Sequence, residues 1–248
     1  MLGIVVSLSW ELKSLTGQSI RVGSCSQISD DVLVALSGIG AERAQAAAEL
    51  LIAEGATGLL SWGFAAALDA GLKPGSVMLP ERVIRATGES YPVDAEWHRR
   101  LYQILSGQFS VATKALLESE MIVKTSDAKR TLAQQTQAVA TDMESGTQAR
   151  FALARRIPFA VVRVISDTAF SQIPEIVMQT LGPSGAIDIR SCLARAFLRP
   201  VDGIAMIKLA MQFNAARKSL KRASALVLEA SRVYLTSLSP STTPAARL

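Results

Sequence analysis

VLVALSGIGAERAQAAAELLIAEG, residues 32–55, opens on an apolar run, passes through a glycine-bearing loop and continues into an alanine-rich helical pattern that stops at Gly55. Glycine just past the last helical residue is the usual C-terminal stop, and a second apolar run, GLLSWGF (58–64), follows at once. The stretch reads as strand, helix, strand. The same alternation extends in both directions. Further strand-like runs are GIVVSLS (3–9), SVMLPERVI (76–84), SVATKALLES (110–119), AVAT (138–141) and FAVVRVIS (159–166). Helical patterns lie in DAEWHRRLYQIL, in DAKRTLAQQT with Ser126 as its expected N-cap, and in ESGTQARFALARR. Apolar strand-like runs alternating with helices predict an α/β fold with a mainly parallel or mixed sheet covered on both faces.

The 248 residues suffice for one large domain plus an appendage. After Pro200 the pattern becomes one long helix with an apolar stripe at Met206, Leu209, Phe213, Ala216, Leu220, Ala223 and Val227. The expected organisation is a main domain over 1–199, a basic amphipathic helix over 200–230 and a disordered tail over 231–248. Charge is local: Arg190, Arg195, Arg199, Lys208, Arg217, Lys218, Lys221 and Arg222 face a single acid, Asp202, so this segment is +7 in a chain of +5. The remainder is about −2, which argues against a surface that coats nucleic acid. Two uses of the helix stay open: docking on the domain or a second subunit, or lying on an anionic membrane surface through 206–222, stripe inward.

Metal and redox chemistry find little support. Cys25 and Cys192 have no ligand or redox spacing, and His98, in EWHRR, has no partner for a zinc site and reads as a solvated helix residue. The longest uncharged stretch, 55–68, is 14 residues, short of a membrane span, and LGIVVSLSW reads as a first strand rather than a signal peptide. A cytoplasmic protein is expected, with a peripheral position on the inner face of the membrane as the helix's alternative use.

Candidate chemistry comes from loops. SGIGAERA (37–44) could offer backbone N–H groups to an anion, but Arg43 occupies the third glycine position of a dinucleotide fingerprint. Three acids follow strands: Glu11, Glu144 in TDMES, and Asp167 in VVRVISD. Each could be a helix cap or a salt-bridge partner; together they suggest acid–base work on a polar organic substrate.

GIVVSLSWE at the start, SGIG, SWGFAAALDAGLKPGSV, DMES and VVRVISD resemble the purine nucleoside phosphorylase and methylthioadenosine/S-adenosylhomocysteine nucleosidase superfamily over about residues 3–199. YPVDAEWHRRL, GPSGAIDIRSCLARAFLRP and the basic final helix resemble its hopanoid-associated branch. The resemblance implies a three-layer α/β/α fold with a central twisted mixed sheet, and cleavage of an N-glycosidic bond through an oxocarbenium-like transition state. It implies Asp167 as the acid that protonates adenine at N7, its pKa raised by burial, with Ser166 supporting its loop. Glu144 would hold the ribose hydroxyls and Met143 would pack on the sugar. Glu11 would activate water, and Ile122, shortly after Glu120, would wall the base pocket. Gly63 and Phe64 stand where phosphorylases carry a phosphate-gripping segment. Phe64 lacks a donor side chain and Glu11 would repel a phosphate dianion, so hydrolysis is the expected reaction. Phosphorolysis, with Arg43 or Arg163 on the phosphate, is the alternative, and a non-catalytic nucleoside-binding scaffold a second. No cofactor is expected beyond phosphate as co-substrate in a phosphorolytic reaction. The implied substrate is adenosylhopane, a purine nucleoside bearing a lipid, in bacterial hopanoid synthesis, and the family implies a homodimer.

Overall fold

A computed structural model of the chain describes residues 1–173 and 200–238. Its elements run β1 (Leu2–Val6), α1 (Ser9–Leu15), β2 (Ser24–Ser29), β3 (Val32–Leu36), α2 (Ala41–Ala53), β4 (Gly58–Ala67), β5 (Val77–Met78), β6 (Arg82–Ile84), β7 (Ser90–Pro92), α3 (Ala95–Leu105), β8 (Val111–Ala112), β9 (Leu116–Glu118), α4 (Ser126–Thr136), β10 (Ala140–Asp142), α5 (Ser145–Arg155), β11 (Phe159–Asp167) and α6 (Pro200–Leu238). The strands form one mixed sheet in the order β2-β3-β1-β4-β10-β9-β6-β7, with β11 on the other side of β4 and leading to β5 and β8.

Alternation along each strand explains why the central strands are mostly apolar on both faces. On β1, Ile4 and Val6 join the core under α1, α3 and α6, while Val5 joins the core under α2 and α5. On β11, Val162 and Val164 face the first layer, and Val161 and Ile165 the second. Helices therefore cover both faces, as the alternating pattern predicted.

β4 positions the site. Its first residues, Gly58–Ser61, pair with β1 in parallel, and Ala66 and Ala67 pair with β10 in the opposite sense. Between these pairings the sheet forks, leaving the C-terminal ends of β1, β10 and β11 around a common gap. Ligands of open α/β sheets bind at such openings, outside the strand ends.

Several local expectations need correction. GIVVSLS is a strand only to Val6: Glu11, three residues past the cap position, accepts from Leu8 N–H and starts α1. SVMLPERVI and SVATKALLES each split into two short strands. Polar strand SCSQIS (β2) lies at the sheet edge, where none of its side chains is fully buried and the pattern carries little apolar signal. Thr125, not Ser126, caps α4, its hydroxyl accepting from Ala128 N–H. His98 is not simply solvated; its Nε2 lies 2.9 Å from Leu79 O, tying α3 to the sheet.

Helix α6 continues past 230 to Leu238, eight residues beyond the expected end. The cause is packing: Trp97 Nε1 donates to Ser231 Oγ at 3.0 Å, Tyr234 stacks on Trp97 at 5.2 Å, and Leu235 covers Gly58. Residues 239–248, and Arg190, Arg195 and Arg199, lie outside the described residues. The apolar stripe is docked on the domain. Ala216, Leu220, Ala223 and Val227 are buried in the core, and Phe213 meets Phe64 with ring centroids 4.9 Å apart. This corrects the expected insertion of the stripe into lipid, because the stripe already covers the sheet. Among the described residues no helix is long and apolar enough to cross a membrane.

Candidate active site

The fork of the sheet holds a cavity of about 210 Å³, walled by Glu11, Phe64, Ile122, Met143, Glu144, Ser166 and Asp167, with Leu8, Ile39, Val123 and Ile173 adding apolar surface. Three distant acids, Glu11, Glu144 and Asp167, thus meet in one space, each nearly inaccessible to solvent. Gly63 lies beneath the cavity rather than in its wall. A methyl group there would sit 2.1 Å from Glu11 Oε1, so this position requires the bare backbone. Glu120 is exposed and outside the cavity; the buried acid of that segment is Glu118, which accepts from Thr147 N–H at 2.6 Å and from Arg85 Nε at 3.3 Å.

Glu11 is held by three backbone donors. Its Oε2 accepts from Ser7 N–H at 2.7 Å and Leu8 N–H at 2.9 Å, and its Oε1 from Phe64 N–H at 2.9 Å. Burial raises its pKa, against the opposing pull of the Arg163 charge and these N–H groups. A carboxylate fixed in place with raised basicity suits a general base. The capping reading and the functional one coincide, since the same side chain starts α1 and faces the cavity.

Glu144 takes the N-cap position of α5 without capping it. Its Oε1 instead accepts from Gly40 N–H at 3.0 Å, so the anion received by the SGIG loop is a side chain of the protein itself. Desolvation first, then repulsion from Asp142, raises its pKa to about 8. Asp142 supplies the cap that Glu144 omits: its Oδ1 accepts from Ser145 N–H at 3.3 Å. Its Oδ2 accepts from Ser145 Oγ and, at 2.8 Å, from Arg163 Nε.

Arg163 is buried, and its Nε and Nη2 donors are committed. Besides Asp142, it donates through Nη2 to Ser61 Oγ at 2.8 Å and Ser145 Oγ at 3.0 Å. Arg43 is exposed on α2. Neither contributes to the cavity wall, and among the described residues no arginine or lysine does.

Asp167 departs from the expectation that burial alone governs it. Lys129 of α4, fully buried, donates to Asp167 Oδ2 and, at 2.8 Å, to Thr168 O, while Ser166 Oγ donates to Asp167 Oδ1 at 2.6 Å. A bulge in β11 between Ile165 and Asp167 lets adjacent residues 166 and 167 both reach the cavity. Lys129 escaped the sequence reading. Its signal was positional: it shares the inward face of α4 with Leu132, Ala133 and Thr136, at spacings of three, four and seven. No cluster of metal-ligating side chains exists among the described residues.

Comparison with known proteins agrees with this geometry. A family model described as the phosphorylase superfamily matches residues 17–181, about two thirds of the chain. No curated protein matches the sequence. Among solved structures, the chain is similar to the Helicobacter pylori 5′-methylthioadenosine/S-adenosylhomocysteine nucleosidase, with a TM-score of 0.68 and 16% identity over 94% of this chain and 97% of that one. Futalosine hydrolase of Helicobacter pylori gives the same four values. The Neisseria meningitidis 5′-methylthioadenosine/S-adenosylhomocysteine nucleosidase, solved with methylthio-immucillin-A, gives 0.66 and 16% over 92% and 98%. At such identity these likenesses establish the fold, and the family match establishes kinship. The chain belongs to the phosphorylase superfamily.

Proposed function

We propose that the protein is an N-ribosyl hydrolase that releases adenine from a 5′-substituted adenosine. The observation that carries this reading is the convergence of Glu11, Glu144 and Asp167 on one cavity whose described wall holds no cation. Glu11 accepts a proton from water, and the resulting hydroxide oxygen bonds to C1′ as the C1′–N9 bond breaks. Glu144 hydrogen-bonds the ribose 2′- and 3′-hydroxyls, with Met143 against the sugar. Ile122 walls the base. The proton needed at N7 resides on the Lys129–Asp167 pair and is delivered from the Asp167 carboxyl, oriented by Ser166.

Phosphorolysis would need donors for a dianion, and those nearest at hand are occupied. Phe64 N–H is bonded to Glu11, Arg163 binds Asp142, Ser61 and Ser145 through Nε and Nη2, and its side chain is not part of the cavity wall. The apolar side of the cavity, with Ile39, Val123 and Ile173, supports a hydrophobic 5′ substituent. Together with the resemblance to the hopanoid-associated branch, this makes adenosylhopane the proposed substrate. The test is adenine release from methylthioadenosine and from a long-chain 5′-alkyl analogue, with and without phosphate. Turnover of both without phosphate, and a higher kcat/KM for the alkyl analogue, is the expected result. Strict dependence on phosphate would overturn hydrolysis; equal kcat/KM values would overturn the lipid assignment alone.

A further inference from the structure

Between α1 and α6 lies a second cleft, of about 480 Å³, lined by Trp10, Lys13, Asn214, Arg217, Lys218, Lys221 and Arg222 together with Ser14, and by no acid. On α6 the lining positions fall at spacings of three, four, seven and eight, the outward counterpart of the stripe that packs on the sheet. Like charges so spaced on one helix face repel each other, and a fifth cation comes from the facing helix. Among the described residues none of the five has an ion-pair partner.

The cations are nevertheless held in place. Trp10 forms a floor, with the Arg217 guanidinium 3.9 Å and the Lys13 ammonium 4.7 Å from its ring centroid. Lys221 Nζ donates to Ser14 O at 3.3 Å, and Arg222 lies over Phe109 at 5.2 Å. Cation–π contacts leave N–H donors at the guanidinium edge free for another group. Arginine edges and clustered ammonium groups around a concave floor match the oxygens of phosphate, which accept bidentate and charge-assisted bonds.

We propose that this cleft binds a ligand bearing clustered phosphate charge, at a site separate from the active-site cavity. The chemistry is shared by a soluble pyrophosphate-type anion and by the phosphate headgroups of an anionic bilayer, and one protein preparation distinguishes them. Trp62 and Trp97 are fully buried, whereas Trp10 is partly exposed, so fluorescence changes on ligand addition report the cleft. Full-length protein is titrated with inorganic pyrophosphate, and separately mixed with phosphatidylglycerol or phosphatidylcholine vesicles and floated. The double variant R217Q/K218Q serves as the control, with thermal unfolding checking its fold.

A saturable, salt-sensitive response to pyrophosphate, weakened about ten-fold or more in the variant, assigns a soluble ligand. Flotation with phosphatidylglycerol but not phosphatidylcholine vesicles, lost in the variant and without a pyrophosphate response, assigns the headgroups. No response to either probe, or binding that the folded variant retains undiminished, overturns the proposal. Should the double variant fail to fold, K13Q on α1 replaces it, with the same two outcomes read against the wild type.

Discussion

Replacing Glu144 with Gln removes a carboxyl that the fold makes hard to ionise, and the effect has a definite sign. The side chain is buried beside Asp142, with Gly40 N–H its only hydrogen-bond donor among the described residues, and its pKa stands at about 8 against an ordinary value of 4.5. Between those values the folded protein keeps a proton that the unfolded chain has released. Stability from this group is therefore complete below 4.5 and declines as pH rises, levelling off above about 8. At 1.36 kcal/mol per pH unit, the full interval is on the order of 5 kcal/mol. Glutamine has nearly the same shape and no charge to bury. Urea unfolding of both proteins without ligand, at about pH 5, 7 and 9, should show the variant gaining on the wild type as pH rises, by several kcal/mol at the top of the range. Glu11 and Glu118, also raised by burial, titrate in both proteins and largely cancel in the comparison. Curves that remain parallel from pH 5 to 9 would refute the reasoning, because they would mean that the free site already compensates the Glu144 charge.

Other perturbations probe the rest of the site. Asp167→Asn should cut kcat by about 10²–10⁴-fold while leaving the Kd of an unreactive substrate analogue within a few-fold, measured by calorimetry and steady-state kinetics. Lys129→Met strands the Asp167 charge in a buried site and should lower unfolding free energy by about 3–5 kcal/mol at neutral pH, with a loss of turnover in whatever fraction remains folded. Gly63→Ala must displace Glu11, whose Oε1 lies 2.1 Å from the added carbon; the expected result is a large drop in kcat with native-like circular dichroism. Removing residues 231–248 uncovers Trp97 and deletes the buried Tyr234 and Leu235, so the melting temperature should fall by many degrees rather than stay unchanged as for a disordered tail.

Much of this was legible because buried strands and a continuous apolar face leave a strong pattern. FAVVRVIS and GLLSWGF are apolar on both faces except at Ser61, Arg163 and Ser166, because helices cover both sides, and the order of strands and helices follows from them. Glu11, Glu144 and Asp167 stood out because each follows such a strand. What the sequence concealed depends on tertiary neighbours. Lys129 looks like any surface lysine until α4 turns it inward toward Asp167. The anion received at SGIG could not be known to be Glu144, 104 residues further on. The polar, proline-bearing stretch SLSPSTTPAARL (237–248) suggested a tail starting near Ser231, but Trp97 and Gly58 supply the packing that keeps α6 helical to Leu238. The apolar stripe of α6 was visible, while what it covers was not: lipid and sheet present the same hydrocarbon requirement.

Water as the nucleophile is the central claim, and product identity tests it most directly. Purified protein turning over methylthioadenosine in a large excess of phosphate, followed by ³¹P nuclear magnetic resonance, should yield adenine and a free reducing sugar with no sugar 1-phosphate signal. A sugar 1-phosphate accumulating in step with adenine would contradict the account.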